Sequence, residues 1–118
     1  MSTDARRPAP THEEWQAQVV DLAQVLGWRH LHVRRTIGRG RKWTTSTNRV
    51  GWPDLFLWHP RRGFAAVELK VGRDKPSEEQ TAVLAELEAA GARVLVAYPA
   101  DLEALRDLLS TPPPKELR

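Results

Sequence analysis

The sequence predicts an α/β fold, a four-stranded mixed sheet flanked by helices in the order α-β-β-β-α-β-α. Three observations lead there. Apolar residues recur at helical spacing in three segments, each opened by a Thr, Ser or Asp suited to cap a helix. Four short runs between them alternate in polarity or are continuously apolar, as strands are. The last two of these runs flank a helical segment, and a helical crossover makes its two strands parallel with a right-handed connection.

Residues 1–10, with Pro8 and Pro10, are expected to form a flexible arm. Thr11 caps the first helix, with Glu14 three positions on and an apolar stripe of Trp15, Val19, Leu22 and Leu26 that ends at Gly27. Trp28 to Val33 alternates and forms the first strand. Residues 34–50 carry Gly38 and Gly40 among Thr, Ser and Asn with no helical period, and are expected to form a long basic loop, mobile in the absence of a partner. Asp54 to His59 and Phe64 to Lys70 make a hairpin turned at Pro60 to Gly63. Ser77 caps the second helix, whose stripe is Val83, Leu84, Leu87 and Ala90. Arg93 to Tyr98 reads as a buried strand. Asp101 caps the last helix, with Leu102, Leu105, Leu108 and Leu109 inside, and 110–118 is an exposed Pro-rich tail. Of the tryptophans, Trp15, Trp28 and Trp58 fall at core positions of these patterns. The span 11–109 is thus one domain.

Composition narrows the function. The chain has 118 residues, 41% hydrophobic and 28% charged, the balance of a globular protein. It has no cysteine, so any metal must be held by oxygen or imidazole. No apolar run approaches the roughly 20 residues of a membrane span, and the polar N-terminus lacks a signal-peptide core. An intracellular, cytoplasmic protein is expected. The net charge is only +3, yet no Asp or Glu lies between Asp21 and Asp54, while Arg29, Arg34, Arg35, Arg39, Arg41, Lys42 and Arg49 do. Such a one-sided basic segment fits a polyanion, with Arg34, Arg35, Arg39, Arg41, Lys42 and Arg49 as candidate phosphate contacts. Trp43, set among them, would either stack on an unpaired base or fold back onto the domain.

The chemistry lies in Gly51-Trp52-Pro53-Asp54 and Glu68-Leu69-Lys70. Side chains alternate along a strand, so Glu68 and Lys70 share a face and Leu69 takes the other. Asp54, opening the neighbouring strand, brings a second carboxylate. Two carboxylates held together repel, and a hard cation such as Mg2+ relieves that repulsion. With Lys70 beside them to serve an attacking water, this is equipment for phosphodiester hydrolysis. The plainer reading of Glu-X-Lys is a charged pair on a wet strand. His30 and His32 share a face of the first strand and, lacking a third ligand nearby, read as a packed or DNA-facing pair.

The ordered set of motifs resembles the VRR-NUC family within the PD-(D/E)XK nucleases. The resemblance rests on Glu14-Trp15-Gln16-Ala17-Gln18-Val19-Val20, Leu22-Ala23, Gly27-Trp28, Gly51-Trp52-Pro53-Asp54-Leu55 and Val67-Glu68-Leu69-Lys70. It continues through Pro76-Ser77-Glu78-Glu79-Gln80, Leu84-Ala85-Glu86-Leu87, Gly91-Ala92 and Pro99-Ala100-Asp101-Leu102, and so covers residues 11–109. It implies a replication and repair nuclease in which Asp54, Glu68 and the Leu69 carbonyl hold Mg2+ (or Mn2+) and Lys70 serves the water. It further implies that Gln80 and a first-helix glutamate border the site, and that a homodimer cuts branched DNA such as Holliday junctions or flaps. Glu14 is the glutamate nearer the apolar stripe than Glu13. Thr11-X-X-Glu14 and Ser77-X-X-Gln80 are also capping boxes, so both residues have a structural role available. The competing functions are a non-catalytic DNA-binding subunit of the same fold, and a restriction-type or RNA-directed nuclease.

Overall fold

A computed structural model of the chain describes residues 9–33, 50–112 and the backbone of 35–37 and 43–45. Helix α1 (His12–Val25) leads into strand β1 (Arg29–His32). Strands β2 (Arg35–Ile37) and β3 (Trp43–Thr45) follow, then β4 (Leu55–His59) and β5 (Gly63–Leu69). Helix α2 (Glu78–Ala89) crosses to β6 (Arg93–Ala97), and a 3₁₀ turn at Pro99–Asp101 precedes α3 (Leu102–Ser110). The main sheet has the order β1-β4-β5-β6. Its first three strands are antiparallel neighbours, and β6 lies parallel to β5, as the helical crossover requires.

The pleat sorts the side chains. Leu55 and Leu57 of β4, Ala65, Val67 and Leu69 of β5, and Ala97 of β6 are buried on one face. Trp15, Val19 and Ala23 of α1 and Leu105 and Leu109 of α3 complete that core. Both core tryptophans also satisfy their indole N–H groups: Trp15 donates to the Ala97 carbonyl and Trp28 to the Leu109 carbonyl, each at 2.9 Å. A buried donor left unpaired would cost about 1–3 kcal/mol. Helix α2 lies on the other face, where its Gln80 meets the side chain of Glu68.

Several expectations need correction. The span 34–50 is not loop throughout, because β2 and β3 pair antiparallel with Arg35 opposite Thr45 and Ile37 opposite Trp43. The Thr, Ile and Trp of these strands carry β propensity that the surrounding glycines obscure in sequence. Trp58 is 42% exposed rather than core, since it alternates with the inward Leu57. Ala90 is exposed and most of β6 only half-buried. Asp101 does not cap α3 with its side chain; its carboxylate accepts the Tyr98 N–H at 2.9 Å and closes the 3₁₀ turn instead.

The end of the sheet remote from Asp54 carries a pH-sensitive contact. His59 Nδ1 accepts the Arg61 N–H at 3.0 Å, and its ring sits edge-on to Trp28. Desolvation first, then the charges of Arg62, Arg61 and Arg93, hold its pKa below the ordinary 6.5. The folded chain therefore binds this proton less readily than the unfolded chain. Its contribution to stability is complete above pH 6.5 and is lost as pH falls through the lowered value. The melting temperature should begin to drop below that pH, and His59→Gln should flatten the decline; an equal slope in the variant would contradict it.

Candidate active site

The site forms where β4 begins and β5 ends. Val33 N–H donates to the Asp54 carbonyl at 3.1 Å, which carries the β1–β4 pairing one residue past the strands. Asp54 thus stands just before β4, opposite Glu68 in the β4–β5 register. The two strands are tied together here in both directions. The Asp54 N–H donates to Glu68 Oε1 at 3.2 Å, and Asp54 Oδ2 accepts the Leu69 N–H at 2.9 Å. Leu69 itself points into the core, while Glu68 and Lys70 share the opposite face and form an ion pair at 3.1 Å.

Glu68 is 1% exposed and Asp54 7%. Buried carboxylates persist only when hydrogen-bonded and balanced by charge. Glu68 Oε2 receives both Lys70 Nζ and the amide of Gln80, the latter at 2.8 Å. Gln80 does this while its Oε1 accepts the Ser77 N–H and its own N–H donates to the Ser77 hydroxyl. The two roles open to Gln80 in sequence therefore coexist in one side chain. Among the described residues, two carboxylates face one ammonium, which is one positive charge short of neutral.

The approach to Asp54 is fixed by packing. Pro53 is fully buried, and Trp52 stacks on Phe56, which stacks in turn on Phe64. Gly51 has φ +90°, and a Cβ there would lie 2.5 Å from the Glu79 carbonyl carbon and 2.8 Å from Gln80 N. The chain entering the site thus rests on the first turn of α2, whose Gln80 holds Glu68.

Glu14 stands elsewhere. It is exposed, and its carboxylate accepts the Thr11 N–H at 2.9 Å in a complete capping box. That backbone donor, then the Thr11 hydroxyl, holds its pKa below the ordinary 4.5. The first-helix residue that does meet the site is His12, whose Nε2 lies 3.4 Å from Asp54 Oδ2. The family pattern points to Glu13 or Glu14 instead. The signal available was spacing: His12 is three residues before Trp15 and seven before Val19, so it shares the buried face of α1.

Of the candidate DNA contacts, Arg34, Arg39, Arg41, Lys42 and Arg49 lie outside the described residues. Arg35 and Trp43 sit on the backbones of β2 and β3, and their side chains lie outside the description too. His30 and His32 are half-buried with rings parallel at 6.3 Å. Among the described residues, no three His, Asp or Glu side chains form a ready-made metal cage. No helix among the described residues is long and apolar enough to cross a membrane.

A mixed sheet in which adjacent antiparallel strands offer an Asp and a Glu-X-Lys at one end, with helices on both faces, is the arrangement of a PD-(D/E)XK nuclease. The family model for the VRR-NUC domain matches residues 3–101, and the chain belongs to that family. It is accordingly a nuclease domain with DNA as its substrate. Neither curated proteins nor solved structures yield a match.

Proposed function

We propose that the protein is a divalent-metal-dependent endonuclease that hydrolyses phosphodiester bonds in branched DNA such as Holliday junctions and flaps, as a homodimer. The observation that carries the catalytic part is the convergence of Asp54, held by the Leu69 N–H, with Glu68, held by the Asp54 N–H and Lys70. The donor set fits a hard cation: two buried carboxylates supply oxygens, one net charge is uncompensated, and Asp54 Oδ1 accepts no hydrogen bond among the described residues. Asp54, Glu68 and the carbonyl of Leu69 would hold a divalent cation, Mg2+ or Mn2+. Such an ion supplies charge neutralisation at the phosphate and makes a nearby water more acidic.

The remaining roles fall to the chain's own groups. Lys70, fixed against Glu68, orients the attacking water and stabilises charge that develops on the phosphate oxygens. Gln80 keeps Glu68 from rotating away. The basic segment 34–49, which runs directly into Gly51, supplies phosphate contacts that read backbone shape rather than base sequence. A small domain with little surface for base readout favours substrates defined by distorted geometry, as arise in repair and recombination.

The test is incubation with labelled junction, flap, nicked and linear duplex DNA, with Mg2+ and with chelator. Cleavage should require the metal, favour the branched substrates and leave 5′-phosphate ends. Tight, salt-sensitive binding without nicking in Mg2+ or Mn2+ would instead identify a non-catalytic DNA-binding subunit.

A further inference from the structure

We propose that His12 is a nitrogen ligand of the divalent cation, sharing it with Asp54, and that this centre consequently prefers Mn2+ to Mg2+. The inference rests on the metal-dependent reading above and concerns a residue outside that ligand set.

Geometry comes first. His12 Nε2 and Asp54 Oδ2 are 3.4 Å apart, which is long for an N–H···O bond, whose usual separation is about 2.9–3.0 Å. It matches the edge between two ligands of one ion. Ligands about 2.1 Å from a metal, at right or tetrahedral angles, stand about 3.0–3.4 Å from each other.

Charge points the same way. Glu68 is already engaged by Lys70, Gln80 and the Asp54 N–H. Asp54 has no cation beside it among the described residues except His12, should that ring be protonated. The uncompensated charge of the site therefore lies on the Asp54 side, where the imidazole stands.

The placement is also built rather than incidental. His12 is the first residue of α1, whose start is fixed by the Thr11–Glu14 capping box and whose inner face is anchored by the fully buried Trp15 and Val19. Its side chain remains 47% exposed, so an ion can reach it without rearrangement of the core. His30, His32 and His59 have ring or backbone partners instead. Imidazole binds first-row transition ions better than it binds Mg2+, so its presence beside carboxylate favours such an ion, Mn2+ included, over Mg2+.

The experiment is pulsed electron paramagnetic resonance on the full chain loaded with one equivalent of Mn2+, paired with calorimetric titration of Mn2+ and Mg2+. Electron spin-echo modulation from a directly bound nitrogen should be seen, should change on selective ¹⁵N labelling of histidine, and should vanish in His12→Gln. That variant should bind Mn2+ about tenfold more weakly and Mg2+ nearly as before. Mn2+ that binds in an Asp54-dependent manner without histidine-nitrogen modulation overturns the His12 assignment alone, as does modulation that survives in His12→Gln. Mn2+ that fails to bind, or binds equally to Asp54→Asn, overturns the metal reading as well. Circular dichroism confirms that the variant, altered at a half-exposed position, is folded.

Discussion

Asp54→Asn and Lys70→Ala should each reduce phosphodiester cleavage by about a thousandfold or more, with DNA affinity changed by no more than a few fold. Loss of one group aimed at developing charge in a closed site typically costs about 10²–10³ in rate. Here the consequences extend further, since Asp54 and Lys70 are each tied to the second carboxylate. Asp54→Asn preserves an oxygen that can accept the Leu69 N–H while removing the charge that a cation needs. It therefore separates chemistry from folding. Lys70→Ala does not, because it leaves Glu68, 1% exposed, without its counter-charge. Breaking a buried pair in this way costs about 3–5 kcal/mol, so that variant should also melt earlier. Single-turnover cleavage of a labelled junction, beside binding measured in Ca2+, reads both effects. Cleavage within tenfold of wild type in Asp54→Asn would sink the assignment.

Gly51→Ala should be the most damaging substitution that touches no charged group. The backbone at φ +90° strains any L side chain, and the new methyl would stand 2.5–2.8 Å from backbone atoms of Glu79 and Gln80. Neither neighbour is a flexible side-chain tip, so relief requires α2 and the entering chain to separate. The strained conformation costs about 1–3 kcal/mol and overpacking about 1–3 more. A melting temperature lower by roughly 10 °C or more follows for a protein of this size. Activity should fall in the same variant even below its melting point, because Gly51 is three residues from Asp54 and its contact is with the turn that carries Gln80. A variant within a few degrees of wild type would show that the approach to the site yields without consequence.

What could be read without coordinates divides along physical lines. Thr11-X-X-Glu14 and Ser77-X-X-Gln80 specify helix starts through bonds made within four residues, and both boxes form. The alternation that sends Leu69 inward and pairs Glu68 with Lys70 is equally local. The β4–β5 hairpin follows from two apolar runs and a short turn, and its register then sets Asp54 opposite Glu68. His12 is not legible in sequence because its partner is 42 residues away and because an imidazole stands where the family pattern implies an acid. The exposure of Trp58 is not legible either, since an aromatic in a strand signals a pleated surface, not which side of it is covered. The β2–β3 pairing was hidden by short strands set among glycines and hydroxyls.

Gln80 has a consequence beyond holding Glu68. Its Oε1 must accept from Ser77 and its Nε2 must donate to the carboxylate, so the amide has a single permitted orientation. A reversed amide would set oxygen against oxygen at one end and donor against donor at the other. The first turn of α2 and the assembled carboxylate pair are therefore one cooperative unit. Fraying of that turn removes one of the partners that hold Glu68 while the rest of the core is still folded, so activity should decline on warming ahead of global melting.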